Sequence, residues 1–159
     1  MSLYDWLLFL HVLSAFALVA GEVLFSFLIV DGWKRDVPGE VLRGFRLAPL
    51  GNALIGAGSG GVLVLGVVLA FQADAYAIWD AWIVAALVLW FVLAELGRRT
   101  GNVYNGARDR ARVLVRDGQT APSPELNAML RSRAGLTLHS ASVAVVVLLL
   151  LDMFFKPGA

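Results

Sequence analysis

Four stretches of the chain are almost unbroken in apolar character, and most of the polar positions between them gather in two blocks. The first stretch covers residues 5–30 and is interrupted by one charge, Glu22. The second, 47–71, holds no charge at all. The third, 79–96, carries Glu95 near its end, and the fourth, 136–155, carries Asp152 near its end. A helix needs about 20 mainly apolar residues to cross the hydrocarbon core of a bilayer. A backbone in lipid must also satisfy its own hydrogen bonds. The pattern therefore predicts an all-α fold, a single transmembrane domain over residues 1–159 built from four membrane-spanning helices.

Composition supports this. Charged residues are 16% of the chain, against about 25% in a soluble domain, too few to coat a globule; a soluble enzyme is excluded. There is no cysteine, which excludes disulfides, thiolate metal sites, iron–sulfur clusters and a cysteine nucleophile.

The charges that remain give the spans a direction. Lys34, Arg35, Arg43 and Arg46 lie between the first and second stretches. Arg98, Arg99, Arg108, Arg110, Arg112, Arg116, Arg131 and Arg133 lie between the third and fourth. These are twelve of the thirteen Lys and Arg residues, Lys156 being the exception. Both connections fall on one side, which the bias of basic residues makes cytoplasmic. The N- and C-termini are then expected outside, with Asp5, Asp74, Asp80 and Asp152 and an aromatic belt of Tyr4, Trp6, Tyr76, Trp79 and Trp82. The first span has no basic segment before it and is long for a signal peptide, so it is read as retained. The expected location is a bacterial cytoplasmic (inner) membrane, multi-pass.

A short external connection, 72–78, predicts antiparallel neighbours and an up-down four-helix bundle. The basic connection over 97–133 contains an arginine-rich stretch from Tyr104 to Arg116. It reads as a solvated continuation of the third span, with a helix lying on anionic lipid as the alternative. No recognition fold accompanies these arginines, so nucleic acid is not an expected partner. Ser123-Pro124-Glu125 has the cap, proline and acid of a helix start. In the second span, Gly56 and Gly60 form a GxxxG pair, with Ala57 and Gly61 on a ridge beside it. Such ridges allow close helix approach; packing within the bundle is the expected use, with self-association or a flat cofactor as alternatives. The glycines lack the Gly-Lys-Ser/Thr ending of a phosphate loop.

Ionisable residues inside a span are costly and mark sites. His11 and Glu22 are eleven residues apart, which puts them within roughly 20° on one helix face. Counting the helical rise places His11 in the outer half, and Glu22 and His139 in the inner half; the two histidines come out ~13 Å apart in depth. A haem bridged by both is therefore not expected in a monomer, while His11 with another axial ligand remains open. Glu22 and His139 are candidates for a proton or cation site, or for a structural polar contact. Glu95, next to Arg98 and Arg99, belongs to the rim.

The chain resembles a family of small bacterial four-helix membrane proteins of unknown function. The resemblance lies in Leu7-Leu8-Phe9-Leu10-His11-Val12-Leu13, Ala20-Gly21, Ala121-Pro122-Ser123-Pro124-Glu125-Leu126 and Met153-Phe154-Phe155-Lys156-Pro157-Gly158. More distantly it is similar to the copper-resistance D-like and four-helix protoporphyrinogen oxidase group, which implies a haem-ligand role for His11. Three functions follow as expectations: a non-catalytic membrane subunit or accessory protein packed against lipid and a larger partner or a second copy; a haem b redox protein using His11; and a small proton- or ion-translocating protein using Glu22.

Overall fold

The computed structural model describes residues 2–72 and 77–157. Asp74 and Tyr76 of the expected outer rim, and the centre of the 72–78 connection, lie outside them. Every element among the described residues is helical: α1 (Leu3–Gly32), α2 (Pro38–Gly44), a 3-10 turn (Phe45–Leu47), α3 (Ala48–Gln72), α4 (Ala81–Arg116), α5 (Pro124–Leu130) and α6 (Arg133–Phe155). Four of these units are long and apolar enough to cross a membrane.

The helix ends follow local chemistry. Ser2 and Asp5 form a capping box: the Ser2 amide donates to Asp5 Oδ2 at 2.7 Å, and the Asp5 amide donates to Ser2 Oγ at 3.2 Å. This satisfies two amides that the first turn of α1 would leave orphaned. Helix α5 begins at the Ser-Pro-Glu signature, with Ser123 Oγ accepting from the Leu126 amide. Helix α2 was not legible in the sequence as an element. Pro38 opens it, Glu40 lies in its first turn and Arg43 in its last, an order that complements the helix dipole.

Helix α4 is one continuous helix of 36 residues, about 54 Å long at 1.5 Å per residue. A hydrocarbon core is only about 30 Å thick, so the arginine-rich half is an extension of the third apolar stretch. It does not lie loose. Tyr104, Ala107, Ala111 and Leu114 form its buried stripe, and they share a core with Phe25 and Ile29 of α1, Val41 of α2, Phe45, and Leu126 and Leu130 of α5. The basic end of the bundle is thus capped by a small core of soluble-protein character.

The long helices associate in two close pairs, α1 with α3 and α4 with α6, and the pairs touch each other more sparingly. Neighbours run antiparallel: Leu18 meets Gly58 while Gly21 meets Ile55 and Gly51. The α1–α3 approach depends on absent side chains. A Cβ on Gly58 would lie 2.8 Å from both Leu18 Cα and the Ser14 carbonyl oxygen, and one on Gly21 would lie 2.6 Å from Ile55 Cγ1. Gly61 presses in the same way on the Ser14 side chain.

This corrects the packing ridge expected from sequence. Gly56 and Gly60 have open space where a Cβ would stand, and Ala57 is exposed. Of the four residues of that ridge, Gly61 alone faces α1. The working contacts are Gly51, Gly58 and Gly61, which the GxxxG spacing does not select because in a run so rich in glycine several faces satisfy a small-residue pattern.

Large apolar side chains cover the outside of the long helices. Phe16, Phe27, Phe71, Phe91 and Phe154 are each about two-thirds or more exposed. In water such a surface would be an aggregation liability; against lipid it is the stable one.

Candidate functional site

Polar side chains enter the apolar interior at more than one height: Asp152, expected at the outer rim, is itself buried, and two places bring together the residues expected from sequence. The first bridges α1 and α6, where the two helix pairs meet. Glu22, His139 and Ser142 are all buried. Ser142 Oγ donates to Glu22 Oε1 at 3.0 Å. His139 Nδ1 stands 3.7 Å from Glu22 Oε2, and its Nε2 is 2.8 Å from Ser26 Oγ. Ser26 Oγ in turn donates to the Glu22 carbonyl oxygen at 2.8 Å. Glu22 and His139, expected at a shared depth as one polar site, lie in one cluster. Ser26 lies close to the polar face of the first span and completes it.

Ser142 was not anticipated. It follows His139 by three residues, the spacing that puts two side chains on one helix face, and that spacing was the available signal. A second missed pair is Thr100 and Tyr104 on α4. Both are buried, and neither hydroxyl has a hydrogen-bond partner among the described residues.

The second feature is a cavity of about 390 Å³ at the opposite end of the bundle from the basic cap, lined by residues of α1, α3, α4 and α6. Its walls include Val62 and Gly66 of α3, Trp82, Ala86 and Trp90 of α4, and Met153 of α6. The ring of His11 forms part of the wall, with Cε1 3.0 Å from where a Cβ on Gly66 would be. Its Nδ1 is buried and makes no hydrogen bond among the described residues. Below the cavity, Trp90 Nε1 donates to the Ser59 carbonyl at 3.0 Å and ties α4 to α3. Lys156 is the charged residue among those lining the cavity, and its ammonium stands 5.4 Å from the centre of the Trp82 ring.

The histidines are well separated. His139 contacts Glu22 and Ser26, which are 11 and 15 residues beyond His11, so about 17–22 Å along α1. Between the two features lies an apolar layer containing Leu18, Ala86, Leu93, Val146 and Leu149. Glu95 takes no part in either: it accepts from Arg98 and Arg99 at 2.7 Å on the exposed side of α4. Among the described residues no group of three or more His, Cys, Asp or Glu side chains is arranged to hold a metal ion.

An all-helical chain with four long apolar helices and large exposed apolar side chains has the form of a multi-pass membrane protein. Comparison of the chain with family models, with curated proteins and with solved structures found no match.

Proposed function

We propose that this chain is a non-catalytic, accessory protein of the bacterial cytoplasmic membrane that holds an anionic amphiphile in the outer half of its bundle. Both termini face away from the cytoplasm, following the charge bias of the two basic connections. The observation that carries the binding role is the cavity of about 390 Å³ among α1, α3, α4 and α6. Its size falls within the range of small-molecule sites. Its walls are apolar along most of their length, and the Lys156 side chain and the His11 ring are the groups on them that suit a polar head. A compact apolar core would have closed this space, as the same helices do at the basic end.

Trp82 and Trp90 line the cavity and report on it. Titration with a brominated fatty acid should quench their fluorescence saturably in the purified protein. Gly66→Leu, whose Cβ alone would stand 3.0 Å from His11 Cε1, crowds this wall of the cavity and should abolish the saturable part. Quenching that is linear, or unchanged by Gly66→Leu, would mean that the acid merely dissolves in the surrounding detergent.

A second reading is favoured by one further observation. Met153 lines the same cavity as His11, and an imidazole with a thioether is an axial set that haem proteins use. The donors present thus fit haem b, which would supply redox chemistry. An absorbance spectrum of protein expressed with added haem decides it: a Soret band that His11→Ala removes supports haem, and no band ends the idea.

A further inference from the structure

The cluster between α1 and α6 has a defined proton inventory. The Ser26 hydroxyl has one hydrogen and gives it to the Glu22 carbonyl oxygen. At its 2.8 Å contact with His139 Nε2 it is therefore the acceptor, and Nε2 carries a hydrogen. Glu22 Oε1 is occupied as acceptor of the Ser142 hydrogen. What remains is Glu22 Oε2 facing His139 Nδ1 at 3.7 Å. With no proton between them, two lone pairs oppose each other and a net negative charge is buried. With two protons, two donors oppose each other and a net positive charge is buried. Both are expensive inside an apolar bundle. One proton leaves the pair neutral overall, either as a carboxylic acid beside a neutral imidazole or as a carboxylate beside an imidazolium. The separation exceeds a direct hydrogen bond, and it is one that a small helix movement or one bridging water closes.

An independent observation points to where this proton exchanges. Thr100 and Tyr104 are buried hydroxyls with no hydrogen-bond partner among the described residues. Unpaired buried hydroxyls are uncommon and call for a cause. Tyr104 Oη lies 3.1 Å from the place a Cβ on Gly135 would take, so Tyr104 is level with Gly135. Because α4 and α6 are antiparallel, Thr100, one turn back along α4, comes level with His139, one turn on along α6. The two hydroxyls therefore rise from the basic end to the height of the pair. On the opposite side Leu18, Ala86, Leu93, Val146 and Leu149 pack into one hydrophobic cluster.

We propose that Glu22 and His139 form a proton-binding site that exchanges with the basic side of the bundle through the Tyr104 and Thr100 hydroxyls, and with that side alone. Each hydroxyl passes a proton by accepting one and releasing its own, so the relay itself is unchanged. The proton comes from water at the basic end and rests on Glu22 Oε2 or His139 Nδ1. No other ionisable side chain among the described residues is found in contact with the pair: α3 brings Gly51 and Ile55 close to α1 near this height, Asp31 on α1 is paired with Arg35, and Glu95 on α4 is paired outward with Arg98 and Arg99. The proposal is independent of what occupies the outer cavity.

The test is infrared difference spectroscopy of the purified protein in liposomes during a pH titration and after a pH jump. A protonated-carboxyl band should titrate, vanish in Glu22→Gln and change its midpoint in His139→Gln, while any band of the other buried carboxyl, Asp152, is assigned by its loss in Asp152→Asn. Tyr104→Phe should leave the midpoint in place and slow the response to the jump on the order of a hundredfold. Thermal melting establishes that each variant is folded. If Glu22→Gln unfolds, the midpoint of His139→Gln and the jump rate of Tyr104→Phe still decide. A carboxyl difference spectrum that Glu22→Gln leaves unchanged, a midpoint of the Glu22 band indifferent to His139→Gln, or a jump response that Tyr104→Phe does not slow would each overturn the proposal. Steady proton flux across the liposomes that depends on Glu22 would overturn its one-sidedness.

Discussion

The two ends of this bundle are built from the same four long helices and reach opposite outcomes. At the basic end, α2, the 3-10 turn and α5 fill the space between the helices, and Val41, Ala107, Ala111 and Leu126 have no measurable exposure. At the other end no such fillers intervene among the described residues, and α1, α3, α4 and α6 line a cavity of about 390 Å³. The short helices make the difference. Each is seven residues long and too short to hold its shape alone. Helix α5 is fixed by tertiary bonds at both ends: Trp33 Nε1 donates to the Leu130 carbonyl at 2.8 Å, Arg131 donates to the Trp33 carbonyl at 2.8 Å, and the Ser123 amide donates to the Asp36 carbonyl at 3.0 Å; α2 is held by the burial of Pro38 and Val41. The basic end is bonded across its loops, and the other end keeps an apolar cavity among its described residues.

The largest expected effect lies where both ends depend on one contact. Gly58 sits against the Leu18 backbone at the α1–α3 crossing, midway between cap and cavity. Gly58→Val should separate the pair and abolish cooperative thermal unfolding in detergent. Gly56→Val, two residues away, meets nothing and should melt like the parent. If Gly58→Val melts normally, the crossing is not what joins the two ends. A Gly56→Val protein that melts normally but changes its oligomeric state would show that the outward small-residue face serves a partner.

Next in size is the cap. Leu126→Ala removes a fully buried side chain from a core bounded by water rather than lipid, so a soluble-protein cost of about 2–5 kcal/mol applies. Denaturant titration should show it as a lower midpoint. An equally large deletion at the other end, Leu87→Ala on the cavity wall, should cost much less, since the space beside it is already open. Equal losses would mean that the two ends are packed alike.

The comparison also explains what the sequence could and could not say. The four long apolar helices were legible because crossing a bilayer demands about 20 mainly apolar residues, and all four are helical in the structure; the direction expected of them rests on the placement of twelve of thirteen basic residues. The pairing of Glu22 with His139 was legible as shared depth, and it becomes a contact at 3.7 Å only when α1 and α6 are packed. The cap was not legible. Val37-Pro38-Gly39-Glu40-Val41 gives no long periodic pattern, and it becomes helical because α4 extends under it. The cavity was not legible either: His11 was singled out, but the space beside it is a property of the packed helices and no residue type encodes it. The glycines misled for a related reason, since spacing ranks faces only when few small residues compete.

The smallest expected effect tests whether the charged network contributes to the cap or merely decorates it. Arg110 donates to Glu125 at 2.7 Å and links α4 to α5, and that carboxylate holds the guanidinium above its ordinary pKa. Both side chains are substantially exposed, so water and salt screen the pair. Its loss should shift the melting temperature little, and less at high ionic strength than at low. Glu125→Gln preserves the helix start, because Ser123 rather than Glu125 caps α5. A melting curve that overlays the parent at high salt, while Leu126→Ala remains displaced, would assign the cap's stability to its buried core. A large drop in Glu125→Gln that salt does not reduce would instead place the Arg110–Glu125 contact in a drier setting than its exposure indicates, and the basic end would then owe its closure to charge as much as to packing.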